Sequence, residues 1–191
     1  MFEHVEDGLT QTAVGRDRML VQLLLEPGVE FFHQRAAGVL MKTQSFICGH
    51  VLLFGNPIVF IYLCQGGKFG GWALYMDNGN PAYTYNYFGL ESYTVKSPTA
   101  IDKDAAEVKL DFKYDGGDDL GKGGIATLYV DGKKVAEGRI EKTEPSVFSA
   151  DETADVGKDD ATQVADKVFK NVEDSEFTGY VKKVVISIPE K

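Results

Sequence analysis

YDGGDDLGKGGIATLYVDGKKVAEGRI, residues Tyr114–Ile140, is the stretch whose reading decides the fold. It opens with a Gly/Asp-rich loop, Asp115–Gly124, followed by a run of strong strand preference, Ile125–Val130. Asp131-Gly132 then supplies the two positive-φ positions of a type I′ hairpin turn, and Lys133–Ile140 returns as a second strand. Two registers compete. A two-residue turn pairs Val130 with Lys133. A four-residue turn through Lys134 pairs Val130 with Val135, apolar against apolar, and is the expected one. A hairpin alone is marginal in water, so the remaining chain must supply sheet neighbours and a covering layer.

Upstream, Ala106–Tyr114 (AEVKLDFKY) sets Val108, Leu110 and Phe112 on one face and Lys109, Asp111 and Lys113 on the other, a half-buried strand. Trp72–Met76, the turn Asp77–Pro81 and Ala82–Phe88 read as a further hairpin. In it Tyr83, Tyr85 and Tyr87 alternate with Thr84, Asn86 and Phe88, and both faces are able to pack. Gly89-Leu90 connects to a short strand at Ser92–Val95. Downstream, Ser146–Ser149 reads as a short strand and Ala150–Val172 as an acidic, turn-rich stretch with a helical turn near Gln163–Phe169. Thr178–Ile188 is a closing strand. Many short strands, turn signals at intervals of roughly eight to twelve residues and no long helical period predict an all-β fold. The class is an antiparallel two-sheet sandwich of jelly-roll type over residues 58–191.

Residues 1–57 read as an atypical leader, partly disordered or contributing an apolar strand or helix. Met19–Leu25 is an apolar run, strand or short helix, stopped by Glu26-Pro27-Gly28. Residues 45–64, SFICGHVLLFGNPIVFIYLC, have the length of a membrane span with Lys42 on the flank. Asn56-Pro57 divides the run, so two buried strands, Val51–Phe54 and Ile58–Cys64, are expected in preference to a membrane anchor. MFEHVEDGL lacks the basic and apolar regions of a secretory signal, which makes a cytoplasmic location the default expectation.

The chain has 191 residues and a net charge of −9. A phosphate backbone repels such a surface, so nucleic acid is not an expected partner. Cys48 and Cys64 lie in apolar surroundings outside any CxxC pattern and are expected to be buried thiols. The three histidines are His4, His33 and His50, and residues 65–191 contain neither His nor Cys. A Ser-His or Cys-His pair confined to that region is excluded. G-x-S-x-G, HExxH and EF-hand loops are absent, and QGGKFGG (65–71) does not match the phosphate-binding GxxxxGK[ST] pattern. No enzyme activity and no obligate cofactor are therefore expected.

Two binding constellations remain. Asp151, Asp155 and Asp159 lie in the densest acidic stretch and offer hard oxygen ligands for Ca²⁺, against the plainer reading of a solvated acidic loop. Trp72, Tyr85 and Tyr87 belong to an aromatic cluster that would bind a glycan by stacking if exposed, or fill the core if not.

The segments 64–95, 114–157 and 177–188 resemble the C-terminal region of large bacterial arylsulfatases. The patterns QGG-x-x-GGW, GKGG-x-x-TLYVDG and FSADE-x-x-DVG occur there in this order, and the resemblance covers about residues 58–190. It implies a concanavalin-like sandwich whose parent enzymes hydrolyse sulfate esters, usually in the periplasm or outside the cell. Sulfatase chemistry resides in a separate α/β domain with a C/S-x-P-x-R motif. Here Cys48 is followed by Gly49-His50-Val51 and Cys64 by Gln65-Gly66-Gly67, so neither fits. The resemblance implies a non-catalytic module, a detached or truncated tail whose partner is a sulfatase catalytic domain. The alternative is a lectin-like, Ca²⁺-assisted carbohydrate-binding module.

Overall fold

In Glu107–Tyr114 the alternation of the sequence becomes geometry: Val108, Leu110 and Phe112 are buried while Lys109, Asp111 and Lys113 face outward. This strand is the middle of a sheet in a computed structural model that describes residues 18–25, 59–102, 105, 107–116, 120–145, 148, 154–177 and 181–187. The elements are β1 (Arg18–Leu25), β2 (Val59–Gly67), β3 (Gly70–Asp77), β4 (Asn80–Tyr87), β5 (Glu91–Lys96), β6 (Glu107–Tyr114), β7 (Lys122–Val130), β8 (Lys133–Lys142), β9 (Ala154–Val156), α1 (Val172–Ser175) and β10 (Val181–Ser187). Two five-stranded sheets form, ordered β10-β1-β6-β7-β8 and β5-β4-β3-β2-β9. All pairings are antiparallel. The architecture is the expected all-β, antiparallel two-sheet sandwich.

The core lies between the sheets. Val21 and Leu23 of β1, Val108 and Leu110 of β6, and Ala126 and Leu128 of β7 meet Phe60, Tyr62, Trp72, Leu74, Tyr83 and Tyr85 of the other sheet. Each large side chain removed from water there contributes roughly 1.5–3 kcal/mol against the entropy of ordering the chain. The second sheet is covered on its outer side as well. Ile61, Cys64, Ala73, Tyr75 and Ala82 pack beneath Val164, Ala165 and Phe169. The helical turn expected at Gln163–Phe169 is a run of turns in which the Val168 and Phe169 amides donate to the Ala165 carbonyl, both at 2.9 Å. The helix comes later, as the single turn α1, where Asn171 Oδ1 accepts from the Asp174 amide at 2.9 Å.

The opening hairpin takes the two-residue turn, correcting the four-residue expectation. Asp131 and Gly132 have φ of 46° and 74°, and Val130 pairs with Lys133. The apolar match is recovered by another device. Tyr129 pairs with Lys134 but Leu128 with Ala136, so Val135 is the extra residue of a bulge and still packs against the core. Beyond the bulge, Gly138 lets β8 approach β5. A Cβ there would lie 2.6 Å from Val95 Cγ2 of the facing sheet.

The leader, expected to contribute an apolar strand or helix, contains β1, which sits between β10 and β6 because Val21 and Leu23 supply inward side chains at strand spacing. Within 45–64, residues 59–64 belong to β2, hydrogen-bonded to β3 and β9, which contradicts a membrane helix through them. Val51–Phe54 lies outside the described residues. No helix among the described residues is long and apolar enough to cross a membrane. Of the strand expected at Ser146–Ser149, only Phe148 is described, and it is in no strand.

Candidate functional site

Trp72 and Tyr85 do not form an exposed sugar platform. Both are buried between the sheets, a correction whose cause is the direction of β3 and β4 side chains. The Trp72 indole donates to Gln65 Oε1 at 3.2 Å, and the Tyr85 hydroxyl accepts from the Glu144 amide at 2.8 Å. Burial pushes the Tyr85 phenol well above its ordinary pKa. Tyr87, farther along the same face, is half-buried against the core with its ring edge-on to Phe88 at 4.8 Å. Thr84 and Asn86 point to the opposite, covered face. Thr84 bonds the Tyr75 and Thr94 hydroxyls, and Asn86 donates to the Val164 carbonyl at 3.2 Å.

The exposed apolar groups lie elsewhere, at the end of the sandwich where β2, β4, β6 and β8 arrive. The large hydrophobics most open to solvent among the described residues are Leu90 (80 %), Phe69 (66 %), Leu120 (59 %) and Phe88 (41 %). Phe69 is in the β2–β3 turn, Phe88 and Leu90 are in the β4–β5 turn, and Leu120 precedes β7. Phe69 lies over Gly89, its Cδ1 3.7 Å from where a Cβ on that glycine would be. Phe88 has φ +52°, a costly conformation for a bulky residue. Side chains hold that turn: the Phe88 amide donates to Glu144 Oε1 at 3.3 Å, and the Gly89 amide to Asn86 Oδ1 at 2.9 Å. Asn86 also donates to the Lys68 carbonyl at 3.0 Å, tying the two turns together.

Glu144 is the unusual group of this end. It is 7 % exposed, and its Oε2 has no hydrogen-bond partner. Burial raises its pKa, and the Phe88 amide opposes part of the rise. Its carboxyl lies directly on Gly70, where a Cβ would fall 2.0 Å from Oε1. The glycine of the QGG-x-x-GGW pattern thus makes room for the acid that follows the β8 strand. Sequence reading missed this end of the molecule. The available signal was Phe and Leu in turn positions of QGGKFGG and YFGLE, where polar residues are the norm.

On the outer side of the second sheet, two of the three acids proposed for a cation come together. Asp155 and Asp159 meet a third group, the Cys64 thiol. Sγ and the carboxylate oxygens all lie within 4.8 Å of one another. Asp151 lies outside the described residues. β2 supplies Cys64, β9 pairs Asp155 directly opposite it, and Asp159 sits in the turn that follows. The thiol points at the carbonyls of Lys158 (3.5 Å) and Asp155 (3.9 Å). Asp159, only 1 % exposed, accepts from the Val164 amide at 2.8 Å, and Asp155 accepts from the Asp160 amide at 3.2 Å. Gln163, 7 % exposed, donates its amide to the Asp159 carbonyl at 3.2 Å, and its Oε1 has no partner.

No family model matches the chain, and no curated protein matches it. Among solved structures it is similar to the native heptameric SAP-like pentraxin from Limulus polyphemus. The two share 11% sequence identity at a TM-score of 0.46, over 93% of this chain and 67% of the pentraxin.

Proposed function

We propose that the chain is a non-catalytic β-sandwich module that docks by its loop end onto a sulfatase-type catalytic domain. The observation that carries this reading is the set Phe69, Phe88, Leu90 and Leu120, four large apolar side chains exposed at one end of the sandwich. An apolar surface held by fixed turns is a protein-contact surface by its chemistry. Residues of the arylsulfatase-like patterns frame it: Gly66–Gly71 form the turn under Phe69, and Gly121 accepts the Thr143 amide at 3.3 Å beside Glu144.

The test uses the tagged full-length chain in its native host, with and without Phe69→Ser and Leu90→Ser. The expected result is co-purification of a polypeptide bearing C/S-x-P-x-R, lost in the double variant, and no aryl-sulfate hydrolysis by the chain alone. Turnover by the purified chain, or capture that survives the double variant, overturns the reading. The lectin-like alternative now rests on the Phe69 and Phe88 rings rather than Trp72 and Tyr85. Glycan-array binding abolished by Phe88→Ala would establish it in place of docking.

A further inference from the structure

We infer that Cys64, Asp155 and Asp159 form a binding site for a thiophilic divalent cation such as Zn²⁺, with Gln163 accepting a hydrogen bond from a water in the fourth position. The donors come from three separate segments, β2, β9 and the turn after it. Cys64 and Asp159 are buried, and all three ligand atoms already lie within 4.8 Å of one another. Tetrahedral Zn²⁺ with one sulfur and two carboxylate oxygens sets its ligands roughly 3.5 Å apart, so the side chains need contract by only about 1 Å. A thiol among the donors disfavours Ca²⁺, which takes six to eight oxygens.

A second observation comes from outside the cluster. Gln163 Oε1 is a buried acceptor with nothing to accept, on a side chain whose amide nitrogen is anchored at the Asp159 carbonyl. Such an acceptor carries a desolvation cost unless a donor reaches it. Metal-bound water is a donor of the right kind, and outer partners of this sort commonly change metal affinity. The site would act as a clasp. It would join β2 and β9 to the segment bearing Val164, Ala165 and Phe169, which covers the outer face of the sheet. Binding replaces the thiol proton by the cation and releases that proton to solvent, so affinity falls as pH falls.

The experiment uses the reduced full-length chain carrying Cys48→Ser, which leaves Cys64 as the sole thiol. Co²⁺ should bind at one equivalent with a thiolate-to-metal charge-transfer band, and Zn²⁺ should displace it. At about a hundredfold excess over Kd, Zn²⁺ should raise Tm by roughly 5 °C. Cys64→Ser should abolish the band. Asp159→Asn, which keeps an oxygen to accept from the Val164 amide, should weaken Zn²⁺ at least tenfold, and Gln163→Leu should weaken it by a smaller factor. Absence of the band in the Cys48→Ser protein, or Zn²⁺ affinity unchanged in both Cys64→Ser and Asp159→Asn, overturns the assignment. Circular dichroism of the metal-free variants separates lost ligation from lost folding. A variant that has not folded is replaced by the folded one of the pair, and loss of the band in that protein alone supports the site.

Discussion

Glu144 shows how much one side chain can impose on its surroundings. Its carboxyl requires the absence of a Cβ at Gly70, supplies the acceptor for the Phe88 amide, and leaves one oxygen without a partner. Because burial raises its pKa above the ordinary 4.5, the folded protein holds this proton more tightly than the unfolded chain does. Stability from this group is therefore greatest below the unfolded pKa and is lost as pH rises through the folded one. Glu144→Gln should flatten that decline. Urea midpoints compared at about pH 5 and about pH 8 should differ less in the variant than in the wild type, and an equal difference would refute the assignment. None of this was legible in the sequence. Glu144 lies among Lys142, Thr143 and Pro145 as one more polar loop residue, and only the fold brings it to Gly70, 74 positions away.

Among the elements, those with strong local signals were legible and those that depend on distant partners were not. The Asn78-Gly79 turn has φ of 55° and 80°, as a type I′ turn requires, and the alternation in β6 set its buried face. β9 has three residues and no pattern of its own; it is a strand because β2 offers it a ladder. β1 was ambiguous because a short apolar run fits a buried strand or a helix equally well. The aromatic run of β4 left open which rings were exposed, since covering both faces of its sheet takes a segment some eighty residues downstream. The β7–β8 register was missed because a bulge at Val135 performs the correction that the longer turn would have made. A sharper test of inter-sheet packing is Gly138, whose missing side chain admits Val95. Gly138→Ala should cost roughly 1–3 kcal/mol by overpacking. Combined with Val95→Ala, it should cost less than the sum of the two single changes by about 1 kcal/mol or more, measured as a double-mutant cycle in urea. Additivity would show that β5 and β8 move apart without strain.

At the scale of the whole molecule, polar and apolar surface are unevenly shared. The β5–β8 side is laced by Lys142, which bonds Glu91 at 2.8 Å and lies 5.6 Å over the Tyr87 ring. Both ionic groups are about half exposed, so this pairing contributes little to stability. Exposed large apolar groups gather instead at the loop end. Since these side chains bury little against their own protein, Phe69→Ser and Leu90→Ser should each change folding stability by no more than about 0.5 kcal/mol. The same pair should remove most of the fluorescence of an apolar dye bound to the native state. A large loss of stability would show that the side chains serve the fold rather than a partner.

The order of the first sheet sets a schedule for the growing polypeptide. β1 has β6 on one side and β10 on the other, with Leu20 opposite Ser187. A nascent chain can offer β1 its first neighbour only after Tyr114 has emerged, and its second only after Ser187. Until then Val184 and Ile186 are missing from the wall that closes over Val21 and Leu23. Pairings so distant along the chain are slow to find because the intervening loop must be closed first. The sheet therefore completes only once Val181–Ser187 has emerged, and a ribosome stalled before Val181 would hold a sandwich with one side open.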